Sequence, residues 1–283
     1  MSPVLETTTT VPSAVSALSL GPNDALCVGS YDGAVRWYNL PSGKVSRAVK
    51  ALGDEISSIV WSPPKKDTPA SVWIASGRKV CGCVKFVPDR PNELLSGGYD
   101  SALLHFDVAQ GSTLSRFDIA ATPSRGISLS PPFVLSISIS TTGLLAASTA
   151  DGRVWLGGGG EKRSHASQGP NKKRSRKWEG LKEDEGVWLQ VADGPVVSTA
   201  FRDPERLVTC SLLGTMSAYD ISRGGKGELQ ASKIWSEATR SVEKVNAMAV
   251  SHSWVVIGGF GKDGKGVVEV WCNPQENTSQ PVS

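Results

Sequence analysis

A chain of 283 residues with 39% apolar and 20% charged side chains excludes a disordered or fibrous protein and has room for one large domain or two small ones. Thirty Lys and Arg against 27 Asp and Glu leave a formal net charge of +3, which excludes a surface that traps nucleic acid or anionic membrane as a whole. Five cysteines, odd in number and mostly within apolar runs (Cys27, Cys81, Cys83, Cys210, Cys272), argue against a secreted disulfide framework and for a reducing compartment.

In chain order, residues 1–13 read as an N-terminal arm without the basic patch and apolar stretch of a signal peptide. No run of about 18 apolar residues follows, so a soluble protein of the nucleus and/or cytoplasm, without membrane contact, is expected. From residue 14 a unit recurs: an alternating strand, a strand ending in small residues, a turn, and a strand ending in an aromatic. The first copy covers 15–20, 25–30 and 34–40; a partial second covers 56–61 and 72–76; the third covers 83–86, 93–98 and 102–108. The fourth runs over 134–140, 144–149 and 153–156, the fifth over 196–201, 207–211 and 215–221, and the sixth over 245–250, 254–258 and 266–271. Short bursts rich in Val, Ile, Leu and aromatics, bounded by Gly, Pro, Asp and Ser, read as strands. Asp32-Gly33 and Asp151-Gly152 supply the positive backbone angles of tight hairpins.

The small-residue strands begin at Leu26, Val72, Leu94, Leu144, Leu207 and Val255, giving intervals of 46, 22, 50, 63 and 48. A four-stranded propeller blade takes about 40 to 45 residues, so the 63 holds an insertion and the 22 is too short. The sequence thus predicts an all-β propeller with six recognisable repeats, the second incomplete, and a segment missing near 79–81 from a parent with seven blades. Residues 14–156 form its first part and 187–272 the remaining blades, with a flexible tail over 273–283.

The copies resemble WD40 repeats, in which an Asp is followed by an apolar residue three places on and by Trp-Asp six and seven places on. Asp32 leads to Val35 and Tyr38-Asn39, Asp100 to Leu103 and Phe106-Asp107, and Asp151 to Val154. Leu213 stands for the Asp before Met216 and Tyr219-Asp220, and the last copy ends in Trp271-Cys272. The Gly-His pair that usually opens a repeat is missing, the histidines being His105, His165 and His252. The resemblance implies a non-catalytic scaffold that binds partner proteins on the propeller face. The phrase from Phe86 to Asp100, with Lys244-Val245-Asn246, is similar to WD-repeat proteins that serve as substrate receptors of cullin-4 ubiquitin ligases. That likeness implies docking on the ligase's DDB adaptor. Such docking is associated with a Trp-Asp-x-Arg ending, which this chain does not provide; Arg223, one place late after Tyr219-Asp220, is the adaptor contact the likeness implies.

Residues 157–186 break the pattern: four glycines, then Lys162, Arg163, Lys172, Lys173, Arg174, Arg176 and Lys177, then an acidic cluster. Such a stretch cannot bury enough apolar surface to order itself and reads as a disordered inter-blade loop. Its split basic clusters resemble a bipartite nuclear import signal for an import receptor. A plain solvated loop and an RNA-associated role through phosphate contacts are the alternatives, nucleic acid being the weaker. Gly259 to Lys265 fits G-x-G-x-x-G, but a phosphate cradle needs a helix after the glycines and Val267 to Trp271 reads as a strand. Cys81-Gly82-Cys83 lacks the spacing and the second pair of a zinc site. With no nucleophile motif and three histidines, neither an enzyme nor a cofactor is expected. Asp32, Asp100 and Asp151, at matching turns, read as structural.

Overall fold

The computed structural model describes residues 2–40, 42–50, 52–61, 72–77, 81–88, 90–119, 130–158, 181, 186–224 and 228–272. These residues are all-β, with one single-turn 3-10 segment at Pro22–Asp24. The strands are β1 (Val4–Val11), β2 (Val15–Leu20), β3 (Ala25–Ser30), β4 (Val35–Asn39), β5 (Lys44–Val49), β6 (Ile56–Trp61) and β7 (Val72–Ser76). Next come β8 (Cys81–Val87), β9 (Arg90–Gly98), β10 (Ala102–Asp107), β11 (Ser112–Asp118), β12 (Val134–Ile139), β13 (Leu144–Thr149), β14 (Arg153–Gly158) and β15 (Val187–Gln190). The remainder are β16 (Val196–Asp203), β17 (Arg206–Ser211), β18 (Thr215–Arg223), β19 (Leu229–Ala238), β20 (Lys244–Val250), β21 (Trp254–Phe260) and β22 (Gly266–Cys272). They form five four-stranded antiparallel sheets, each wound like a β-propeller blade, and a two-stranded sheet β6-β7.

Two compact units divide the chain: 1–79 with 208–219 and 233–283, and 80–207 with 220–232. In the first unit, β2-β3-β4-β5 packs on one side against the sheet β1-β22-β21-β20 through Val15, Leu26, Val28, Tyr38, Val256, Val268 and Val270. On its other side Ala17, Cys27 and Val35 meet Ile56 and Ile59 of β6. Strand β3 is therefore packed on both faces, which is why it reads as an unbroken apolar burst rather than an alternation. Burial pushes the Cys27 thiol up to about 12, so this cysteine behaves as a small apolar side chain. A Cβ on Gly29 would lie 2.5 Å from Ile56, so only glycine admits the neighbouring strand here.

In the second unit, Leu95, Leu103 and Phe117 of β8-β9-β10-β11 pack against Val134, Ile137, Leu145 and Trp155 of β12-β13-β14-β15. Phe117 meets Trp155 edge-on at 5.1 Å between ring centroids. A second core joins Leu144, Ala146, Val154 and Leu156 to Val196, Leu207, Ile221 and Leu229.

The structure corrects two of the boundaries expected from sequence. Residues 4–11 are not an arm: β1 is the outer strand of the sheet that ends the chain, paired antiparallel with β22 from Val4↔Cys272 to Val11↔Gly266. The unbroken run Thr7 to Thr10 puts two threonines on each face and leaves the strand without a continuous apolar face, which hides it. The segment 157–186 is not inter-blade: β14 pairs with β15 through Trp155↔Trp188 and Leu156↔Val187, so the insertion leaves and re-enters one sheet. Gly157 and Gly186 flank the Trp155 ring, where a Cβ would sit 1.9 and 2.3 Å from it. Among the described residues the second copy consists of β6 and β7.

Candidate interaction surface

The sharpest recurring geometry lies at the hairpin between the second and third strands of four of the five complete sheets. In four sheets a backbone hydrogen bond closes the turn, from the N–H of Gly33, Ser101, Gly152 or Gly214 to the carbonyl three residues earlier, at 3.1 to 3.3 Å. The donor residue has a positive φ each time: +72° at Gly33, +56° at Ser101, +87° at Gly152 and +85° at Gly214. Its own carbonyl then accepts an N–H from beyond or within the fourth-strand region: Leu52, Ile119, Val191 with Ala192, and Thr239, at 2.9 to 3.2 Å. Each turn is thus held at both ends, which limits the entropy a partner would have to remove on binding.

This geometry sets opposite expectations for two substitutions at equivalent positions. A Cβ on Gly152 would lie 2.0 Å from the Ala192 carbonyl oxygen at a φ that penalises side chains, so Gly152→Ala should cost about 3 kcal/mol. Ser101 already pays the left-handed penalty, and Ser101→Gly should raise stability by a few tenths to about 1 kcal/mol. Urea midpoints at unchanged slope read both.

The held turns present different side chains. Tyr31 and Leu213 in the first unit are 45% and 74% exposed, and Tyr99 in the second is 49% exposed. Tyr99 stacks edge-on with Phe133 at 5.3 Å. Rigid aromatic and apolar side chains of this kind, carried on fixed backbone, are the usual anchors of protein recognition.

The aspartates of these turns differ in setting. Asp32 Oδ1 accepts the Ala34 N–H at 3.2 Å, and Oδ2 lies 3.4 Å from Arg36, which also donates to Ser30 Oγ at 2.8 Å. Partial burial pulls the Asp32 carboxyl upward, but Ser30, the Ala34 amide and Arg36 together hold it below the usual aspartate range. The unfolded chain therefore binds this proton more readily. The stabilisation is complete above the ordinary aspartate range and is lost as pH falls through the lowered folded value. Asp32→Asn should flatten the acid limb of a stability–pH curve, the variant lying below the parent at neutral pH and converging with it below about pH 4.

Asp151 is buried and accepts from Thr149 Oγ1, from Arg153 Nε at 2.7 Å and from Arg153 Nη2 at 2.6 Å. The Arg153 guanidinium lies 4.3 Å over the Trp188 ring. Removing one partner strands a buried charge, so Asp151→Ala should destabilise by about 3 to 5 kcal/mol, and Asp151→Ala with Arg153→Met by less.

The other repeat residues serve the frame. Asp100 is exposed, 3.9 Å from Arg116, and Asp107 caps a turn through the amides of Ala109 and Gln110 at 2.9 and 3.0 Å. Asp220 lies 3.3 Å from Arg206. Tyr38, Tyr219 and Trp271 are buried, Phe106 is half-buried, and Arg223 ends β18 in an exposed position. Lys162, Arg163, Lys172, Lys173, Arg174, Arg176 and Lys177 lie outside the described residues. Residues 261–265 of the glycine-rich motif form the hairpin between β21 and β22, with Gly261 N–H donating to the Lys265 carbonyl at 3.0 Å. A strand rather than a helix follows those glycines.

Two polar clusters escaped the sequence. His105 is buried with Nε2 3.0 Å from Glu93 Oε2, and Glu93 in turn accepts from Arg90 at 2.7 Å; burial lowers the imidazole below its usual value despite Glu93. Glu269, fully buried in β22, accepts the amides of Arg240, Ser241 and Val242 on Oε1 and the Trp271 indole N–H on Oε2 at 3.1 Å. Its visible signal is a lone acid inside the run Gly266-Val267-Val268-Glu269-Val270-Trp271. Among the described residues no three His, Cys, Asp or Glu side chains gather in a way that could hold a metal, and no helix is long and apolar enough to cross a membrane. No family model matches the chain, and no curated protein matches it.

Proposed function

We propose that this protein is a non-catalytic interaction scaffold of the WD40-repeat class that engages partner proteins through its hairpin turns. The carrying observation is the doubly held turn geometry with Tyr31, Leu213 and Tyr99 exposed at its tips. Photo-crosslinking residues placed singly at these three positions should each capture discrete partner bands from cells. A control at exposed Val45 on strand β5 should not. Capture that is equal at all four positions, or absent at all, rejects the reading.

A narrower reading rests on the likeness of Phe86 to Asp100 and of Lys244-Val245-Asn246 to WD repeat-containing protein 53, and makes the chain a substrate receptor of a cullin-4 ligase. Arg223, exposed at the end of β18, is its adaptor contact, and Arg223→Glu should abolish copurification with the adaptor. Six repeats, the second reduced to two strands, derive in this reading from a seven-bladed parent. The basic clusters at 162–163 and 172–177 direct nuclear import through an import receptor, and their replacement by Ala should leave the protein in the cytoplasm. RNA association through the same clusters is the remaining alternative, excluded if retention on RNA is unchanged by that replacement.

A further inference from the structure

We infer that strand β7 is the dimerisation edge of this protein, pairing antiparallel with β7 of a second copy. Among the described residues five sheets carry four strands and the sixth carries β6 and β7. Two copies joined edge to edge give the order β6-β7-β7-β6, the strand count of the other five sheets.

The edge has the chemistry for it. Natural outer strands protect themselves with charge or brevity. Here β1 carries Glu6, β5 Lys44 and Arg47, β11 Arg116 and Asp118, and β19 Lys233 and Glu237, while β15 has only four residues. Strand β7 reads Val72-Trp73-Ile74-Ala75-Ser76, without charge or proline, the composition of a strand meant to be paired on both sides. Among the described residues it pairs only with β6, in the register Ile56↔Ser76 to Trp61↔Val72.

The backbone phase fixes which groups are offered. Gly77 N–H donates to the Glu55 carbonyl at 3.0 Å, on the β6 side. Alternation along the strand then turns the N–H and C=O of Val72, Ile74 and Ser76 to the open side. A two-fold axis through Ile74 sets Ile74 against Ile74 of the second copy, and Val72 against its Ser76, so that every outward donor meets an acceptor.

Sedimentation velocity between about 0.5 and 100 µM, with hydrogen exchange at both extremes, tests the pairing. The expected result is a concentration-dependent species of twice 29.9 kDa, with amide exchange in 72–76 slowed about tenfold at the high end. Ile74→Pro or, at the strand end, Ser76→Pro removes an outward donor without touching the β6 ladder, and should give a monomer that still melts cooperatively. A chain monomeric throughout, exchange in 72–76 independent of concentration, or a dimer indifferent to both prolines overturns the inference. The crosslinking test at Tyr31, Tyr99 and Leu213 does not involve β7, so either proposal can fail alone.

Discussion

Replacing Glu269 by alanine is expected to destabilise the protein by about 3 to 5 kcal/mol, on the scale of breaking a buried charged network. One carboxylate accepts three successive amides, those of Arg240, Ser241 and Val242, and with its other oxygen the Trp271 indole N–H. It ties the connection between β19 and β20 to β22. The full sum of four lost hydrogen bonds overstates the cost, because Arg240 and Ser241 are exposed enough for water to replace their partner. Val242 and Trp271 are buried, and their donors have no such recourse. Glu269→Gln keeps an acceptor for the amides but turns its own N–H₂ toward the indole N–H, setting donor against donor. Its expected loss is about 1 to 2 kcal/mol, and adding Trp271→Phe should cost less than the sum of the single changes. Urea denaturation of the parent, the three single variants and the double variant decides the matter. A Glu269→Ala loss under about 1 kcal/mol would mean that the carboxylate is incidental to the fold.

The inner three strands of each sheet were legible because they are packed. β3, β13 and β21 lie between neighbouring sheets or strands and carry little besides Val, Leu, Ile, Ala and Gly. The outer strands were not, and the reason is the same physics reversed. β5 is exposed at every residue, and β19 at about half of its positions, so neither needs the apolar alternation by which a strand is recognised. β1 was lost for a second reason, since its partner β22 lies at the opposite end of the chain and no local pattern announces such a pairing. The insertion after Leu156 misled in a similar way: sequence shows that a strand resumes at Val187 but not that it rejoins the sheet it left. At the candidate surface the positive-φ glycines of Asp32-Gly33 and Asp151-Gly152 were readable, as the turn chemistry requires them. Ser101 in the same role was not, and neither was Glu269, whose partners come from a connection 27 to 29 residues away.

Deleting residues 1–11 is expected to remove most of the folding cooperativity of the unit that contains β1. The strand runs antiparallel to β22 over nearly its whole length, and Val11 at its end is 2% exposed in the core shared with Val15, Leu26 and Val268. Each ladder hydrogen bond contributes about 0.5 to 1.5 kcal/mol, so the lost pairing amounts to several kcal/mol. A domain's stability is about 5 to 15 kcal/mol in all. The deletion also opens the β22 edge, whose Val267-Val268-Glu269-Val270-Trp271 carries a single charge, and that charge is buried and committed to internal amides. An edge of this kind associates. The expected observation is a lower and broader melting transition together with self-association on sizing. Chain order itself should not matter. Because β1 acts by pairing rather than by its position in sequence, residues 1–11 supplied as a peptide, or moved behind residue 283 on a flexible linker, should restore the transition in part. A deletion protein that melts like the intact chain would show instead that β22 is stable as an edge, and that β1 covers it without holding the sheet together.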